Sequence, residues 1–380
     1  MKRVPKSVVA GAVALVITAL FSRGRVTPYD NYVLLAQAFL EGHVWIHLPG
    51  EWIDALQYNG LYYIIEAPMP ALLLLPIAAL GAASQTLLSI LLTGIAVGAA
   101  WELGERYGLQ PSVNAWICTF FFAGTDLLWC GMLGDVWFIA HVSAVCFTML
   151  ALVELAGKRR PWLVMLWAAC AFESRFSLLL AIPVYGYLLL SDASVSERSR
   201  KILSMLATLV PVAILWVLYN ELRWATISDI GYTTWYHQDE AGMPTGSPFR
   251  LQYLGYQLWS FFVQWPGFQS AYPWIVPSVS GIALTWTSPA LALAFFARRP
   301  VQLVWALWAA AVLVAAPSFL YYVNGFAQFG MRHALDFEPF LIALVMLAVR
   351  ERLPKWGMVL VAYSVVVGIW GCWYWQSFIR

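Results

Sequence analysis

The chain has 380 residues, of which 61% are hydrophobic and only 11% charged, with a net charge of +2. Soluble domains carry about a quarter charged residues, so a soluble fold is excluded, and nothing in the charge balance suggests a nucleic-acid partner. The five cysteines (Cys118, Cys130, Cys146, Cys170 and Cys372) lie in or beside apolar runs without a CxxC pair. They read as buried apolar residues, neither a disulfide framework nor a zinc site.

Along the chain, residues 5–22 follow Lys2, Arg3 and Lys6 without a small-x-small cleavage site, which predicts an uncleaved first span. About eleven apolar runs are long enough to span or nearly span a bilayer, centred near residues 14, 94, 119, 145, 167, 183, 210, 290, 310, 343 and 365. The expected fold is all-α and polytopic, one transmembrane domain over residues 1–380. The shorter apolar piece 68–80, opened by two prolines and ended by Gly81, suits an interfacial or re-entrant helix. With a cytoplasmic N-terminus, 15 of the 22 basic residues fall on the cytoplasmic side. That bias sets the orientation and places the C-terminus at Arg380 outside. In the same frame 14 of the 20 carboxylates face outward.

Two long outer loops remain, 23–67 and 220–277, rich in Trp, Tyr and Phe and so expected to fold against the membrane surface. Within the first, 32–44 reads as an amphipathic helix, with Val33, Leu34, Ala36, Phe39 and Leu40 apolar and Gln37 and Glu41 polar. Asp30 stands just before it, where it can cap that helix or act as a general base at the lipid–water boundary.

Several strings resemble the GT-C glycosyltransferases, which take sugars from polyprenyl-phosphate donors and include protein O-mannosyltransferases and aminoarabinose transferases. They are Asp30-Asn31-Tyr32, Asn59-Gly60-Leu61-Tyr62-Tyr63 before Pro68-Met69-Pro70, Asn220-Glu221-Leu222-Arg223-Trp224 with Gly231-Tyr232, and Gln328-Phe329-Gly330-Met331-Arg332. The resemblance implies a bacterial plasma-membrane enzyme with an extracytoplasmic site, a polyprenyl-phosphate sugar as donor and a saccharide, lipid or protein as acceptor. It also implies Asp30 as catalytic base. Relatives often carry a second acid after it; here Asn31 stands there, so a divalent metal remains open but the motif gives it no paired-acid support.

Arg332 belongs at the end of a span, where an arginine needs a counter-charge. Asp336 at i,i+4 or Glu338 can supply one; otherwise its planar fork suits a donor phosphate. Arg223 and Arg175 are weaker candidates for the same work. Asp135 and His141 suit a helix cap and a satisfied core histidine, or contacts to sugar hydroxyls, or a metal held together with Asp30. Gln328, Tyr62 and Tyr63 complete the expected binding set, and Trp137, Trp235 and Tyr236 are further aromatics able to stack on a sugar. The 23–67 loop is expected to cover a cavity walled in part by 328–336. No phosphate loop, HExxH, GxSxG or GxGxxG is present. The alternative to glycosyl transfer is a transporter or flippase of a lipid-linked saccharide, against which stands the lack of any internal repeat.

Overall fold

A computed structural model describes residues 4–239 and 244–379; Lys2, Arg3 and Arg380 lie outside the described residues. Helix α1 (Lys6–Ser22) is followed by a short α2 (Asn31–Leu40), a hairpin of β1 (Leu56–Tyr58) and β2 (Leu61–Tyr63), and α3 (Met69–Ala78). Then come α4 (Gln85–Arg106), α5 (Pro111–Ala123), α6 (Leu127–Leu133), α7 (Val136–Ala156), α8 (Pro161–Phe172), α9 (Ile182–Leu190) and α10 (Val195–Trp224). The rest is α11 (Gly231–Gln238), α12 (Leu254–Phe262), α13 (Leu284–Thr287), α14 (Val301–Leu320), α15 (Glu338–Ala348) and α16 (Lys355–Tyr374). Single 3₁₀ segments precede α9, α14 and α15, at Phe176–Ala181, Pro289–Phe296 and Arg332–Asp336.

Each of the eleven apolar centres falls on a helical segment, but length divides them. Among the described residues five helices are long and apolar enough to cross a bilayer, six if the bent pair α5–α6 counts as one span. The others run 10–17 residues or are 3₁₀. Prolines open three of these segments, at Pro111, Pro161 and Pro289, where a missing N–H costs nothing. The pair α5–α6 breaks by 50° at Gly124–Asp126. The 68–80 piece forms α3, ten residues packed on α2 and α7 and well short of a span.

Helix α7 is the central post, with 83% of its apolar window buried, whereas α10 lies at the periphery with 11% buried. Helix α4 packs between α1 and α7. Its Gly94 and Gly98, one helical turn apart, let α1 approach closely: a Cβ at Gly94 would sit 3.0 Å from the Gly11 carbonyl, and one at Gly98 3.0 Å from that of Ser7. Association of helices in lipid rests on such close backbone approach, since lipid tails are as apolar as the side chains. Gly94→Leu should therefore destabilise the protein by about 1–3 kcal/mol. Thermal unfolding in detergent checks this, with the lipid-facing Leu91→Ala as the variant expected to unfold like wild type.

The first long loop is ordered around its own small core. Helix α2 starts at Asn31 and ends four residues earlier than the amphipathic pattern predicts, because Gly42 takes φ +87° and turns the chain. It buries Tyr32, Leu35 and Ala36 against α3 and α7, while Leu40 is exposed. Asn59-Gly60 makes the hairpin turn with both φ values positive, as a two-residue loop demands.

Candidate functional site

Loops and helix ends from many parts of the chain line one chamber of about 1100 Å³. The first loop supplies Tyr29, Asp54 and Glu66; the start of α7 supplies Asp135, Trp137, Phe138 and His141. Arg175 enters after α8, Tyr232, Trp235 and Asp239 from α11 and its end, and Tyr321, Tyr322, Arg332 and His333 from the connection between α14 and α15. The segments 23–67 and 328–336 thus share one cavity, as the sequence leads one to expect.

At one side Asp336 is saturated. It accepts from His141 Nδ1 at 2.7 Å, Ser177 Oγ at 2.8 Å and Arg175 Nε at 3.2 Å. Burial alone would raise this carboxyl; Arg175 and His141 outweigh that and hold it well below the usual range. The remaining Arg175 fork meets His333 Nδ1 at 3.2 Å, and burial, with His141 and Arg175 nearby, keeps His333 neutral. His141 is thus a satisfied core histidine that also faces the chamber.

Arg332 is different. Asp336, expected as its partner, points elsewhere, because Arg332–Asp336 is 3₁₀ and i,i+4 residues do not align at three per turn. Arg332 Nη1 donates to the Phe326 carbonyl at 3.1 Å, its plane lies over Phe138 at 5.4 Å, and its Nε has no partner. Burial pushes it down to about 10, so it stays charged at neutral pH. It lines the same chamber as Asp54, whose charge it feels, and Glu66. Asp54 is raised by burial, with the Trp137 indole and Arg332 pulling the other way.

Other residues singled out from the sequence lie elsewhere. Asp30 does not line the chamber. It precedes α2 as its N-cap residue without a side-chain capping bond, and Gln85 pins the backbone around it, bonding Tyr29 O and Tyr32 N. Asn31, in the place of a second acid, instead donates to the Asp54 carbonyl at 2.8 Å and so anchors a residue that does face the chamber. Arg223 is sequestered: it donates to the Ile64 carbonyl, Asn220 and Asp229 and lies over the Tyr219 ring at 4.0 Å. It clasps α10 to the strand leading into Glu66. Gln328 is a post as well, donating to the Ser280 and Asn324 carbonyls at 2.8 and 2.9 Å and so shaping the chamber wall at 324–327. Tyr63 packs on Trp224 at 5.2 Å and Tyr62 belongs to the hairpin; neither reaches the chamber, and nor does Tyr236. The aromatic wall is made by Tyr29, Trp137, Tyr232, Trp235, Tyr321 and Tyr322. Asp135 begins α7 and lines the chamber.

Asp54 and Glu66 escape a reading by local motif because they are distant in sequence. The hairpin register pairs Leu56 with Tyr63 and Tyr58 with Leu61, so the two acids sit at nearly equal distances from the Asn59-Gly60 turn. A two-residue turn flanked at equal range by carboxylates was the available signal. Among the described residues no group of three or more His, Cys, Asp or Glu is arranged to hold a metal ion.

No protein-family profile matches the chain, and no curated protein does. Among solved structures, it is similar to the crystal structure of ArnT from Cupriavidus metallidurans bound to undecaprenyl phosphate, with a TM-score of 0.54 and 17% sequence identity. The match covers 94% of this chain and 63% of that one, so the chain spans a little under two thirds of its length. At that identity the likeness is one of architecture: the chain is a polytopic, all-α membrane protein that shares the fold of that structure.

Proposed function

We propose that this protein is a membrane glycosyltransferase that moves a sugar from a polyprenyl-phosphate donor to an acceptor hydroxyl, with inversion, on the extracytoplasmic side. The observation that carries the reading is a buried arginine with an unpartnered Nε that shares an aromatic-walled chamber with carboxylates. The shared fold and the phosphate-lipid bound by ArnT support the choice of donor.

In this mechanism Asp54 takes the proton from the acceptor hydroxyl, and that oxygen attacks the anomeric carbon. The bond from the anomeric carbon to the phosphate oxygen breaks, and the departing lipid phosphate keeps the electron pair. Arg332 meets the negative charge that develops on it. Asp54 replaces Asp30 as the base because Asp54 lines the chamber and Asp30 does not. Arg175 is unsuited to the phosphate, since Asp336 already holds its charge. Trp137, Trp235 and the tyrosines offer flat faces for the sugar. The transporter alternative would need charged groups along a path through the bilayer, whereas these converge on one chamber.

Mass spectrometry of lipid-linked sugars and surface glycans, with and without the protein, tests the reaction class: the donor should accumulate and one glycan modification should vanish when the protein is lost. Orientation is tested separately. A reporter fused at Glu197, in the capping box at the start of α10, should behave as cytoplasmic. An extracytoplasmic signal there would reverse the topology and move the chamber to the wrong face.

A further inference from the structure

Glu66 is a buried carboxyl that the mechanism above leaves unused. It lines the chamber yet is only 6% exposed, and its Oε2 has no hydrogen-bond partner. Every element around it brings a charged or phenolic group. Asp54 comes from the other arm of the hairpin, Arg175 from beyond α8, Arg223 and Tyr219 from α10, Tyr32 from α2 and Tyr232 from α11. Both arginines are engaged elsewhere, Arg175 by Asp336 and Arg223 by Ile64, Asn220 and Asp229. Neither donates to Glu66.

A buried carboxylate beside a second one, with no donor on one of its oxygens, is costly; such pairs resolve into one ionised and one protonated member. Burial first and Asp54 second push Glu66 up to about 8, against weaker pulls from its own backbone hydrogen bond, Arg175 and Arg223. Asp54 has the Trp137 hydrogen bond and the field of Arg332 to favour its charge.

We propose that Glu66 stands in the chamber as a neutral acid whose O–H donates to a hydroxyl oxygen of the bound sugar, leaving Asp54 the ionised member of the pair. The sugar in this statement rests on the glycosyl-transfer reading; the protonation of Glu66 does not. Deprotonation removes the donor and places a second anion beside Asp54, so transfer should fall as pH rises through about 8.

Two measurements test it. Infrared difference spectra of wild type against Glu66→Gln, in lipid nanodiscs titrated from roughly pH 6 to 10, should show a carboxylic-acid carbonyl band. That band should be absent from the variant and convert to carboxylate near pH 8. No such band below neutrality overturns the proposal, whether or not the protein transfers sugar. Transfer from a polyprenyl-phosphate sugar is the second measurement. Glu66→Gln, which keeps an uncharged donor, should lose about 3- to 10-fold at neutral pH, the scale of one hydrogen bond, and its profile should lack the alkaline fall. Loss of transfer at every pH in a folded Glu66→Gln protein would make Glu66 the ionised base and sink the proposal. Should Glu66→Gln not fold, Glu66→Asp must shift the infrared titration for the assignment to stand. Wild-type protein inactive on every polyprenyl-phosphate sugar would end the glycosyl-transfer reading, with the infrared result still deciding Glu66.

Discussion

Asp54→Asn should lower glycosyl transfer by about 10²–10⁴-fold, the usual worth of a positioned general base, while donor binding and fold are kept. The substitution is nearly isosteric. It preserves the backbone carbonyl that Asn31 holds, and the amide can still meet the Trp137 indole that favours the carboxylate. Only the proton acceptor is removed. Asp30→Asn is the matched comparison, because Asp30 stands outside the chamber and Asn serves as well as Asp ahead of a helix. Its transfer rate should stay within about threefold of wild type, the effect expected of a change that keeps an N-cap of equal rank. The assay is single-turnover transfer in nanodiscs with a polyprenyl-phosphate sugar. The reverse ranking, with Asp30→Asn dead and Asp54→Asn active, would return the base to the residue that the acidic motif suggests and require the first loop to rearrange on binding.

The two acids differ in how legible they are. Asp30 stands out in the sequence because it sits at a helix start after the first apolar run, a local pattern. Asp54 and Glu66 become neighbours only through the register of a three-residue hairpin, which their own surroundings in sequence do not announce. Apolar runs located eleven helical segments of the bundle, since burial in lipid or protein demands them, but not short helices such as Leu127–Leu133 and Leu254–Phe262. They do not separate full spans from partial ones, because Pro161–Phe172 and Glu338–Ala348 are strongly apolar yet only 12 and 11 residues long. The arginines show a further limit. A buried arginine can be satisfied by carbonyls and rings as well as by carboxylates. Arg223 and Arg332 therefore look alike in sequence; Arg223, though its Nε is unpartnered, spends both Nη groups on Ile64, Asn220 and Asp229 away from the chamber, whereas Arg332 lines it with one hydrogen bond and an unpartnered Nε.

That nitrogen carries the second large prediction. Arg332→Ala should both weaken binding of polyprenyl phosphate and slow transfer by roughly 10²–10³-fold, the cost of removing one donor aimed at developing charge. In the resting protein the guanidinium donates to one carbonyl, lies on Phe138 and faces the field of Asp54, leaving fork positions for a phosphate oxygen. Arg332→Lys should recover part of the binding, since a lysine restores the charge, but less of the rate, since it cannot offer two parallel donors. Arg175→Ala should behave otherwise. It strips a cation from Asp336, whose carboxylate is wholly buried, and so should cost stability before it costs affinity. Direct binding of polyprenyl phosphate to each purified variant, measured beside its thermal midpoint, separates the two arginines. If Arg332→Ala bound the lipid phosphate as wild type does while a folded Arg175→Ala protein did not, the phosphate would belong at the Arg175–His333 side of the chamber. Asp54 would then face the wrong bond.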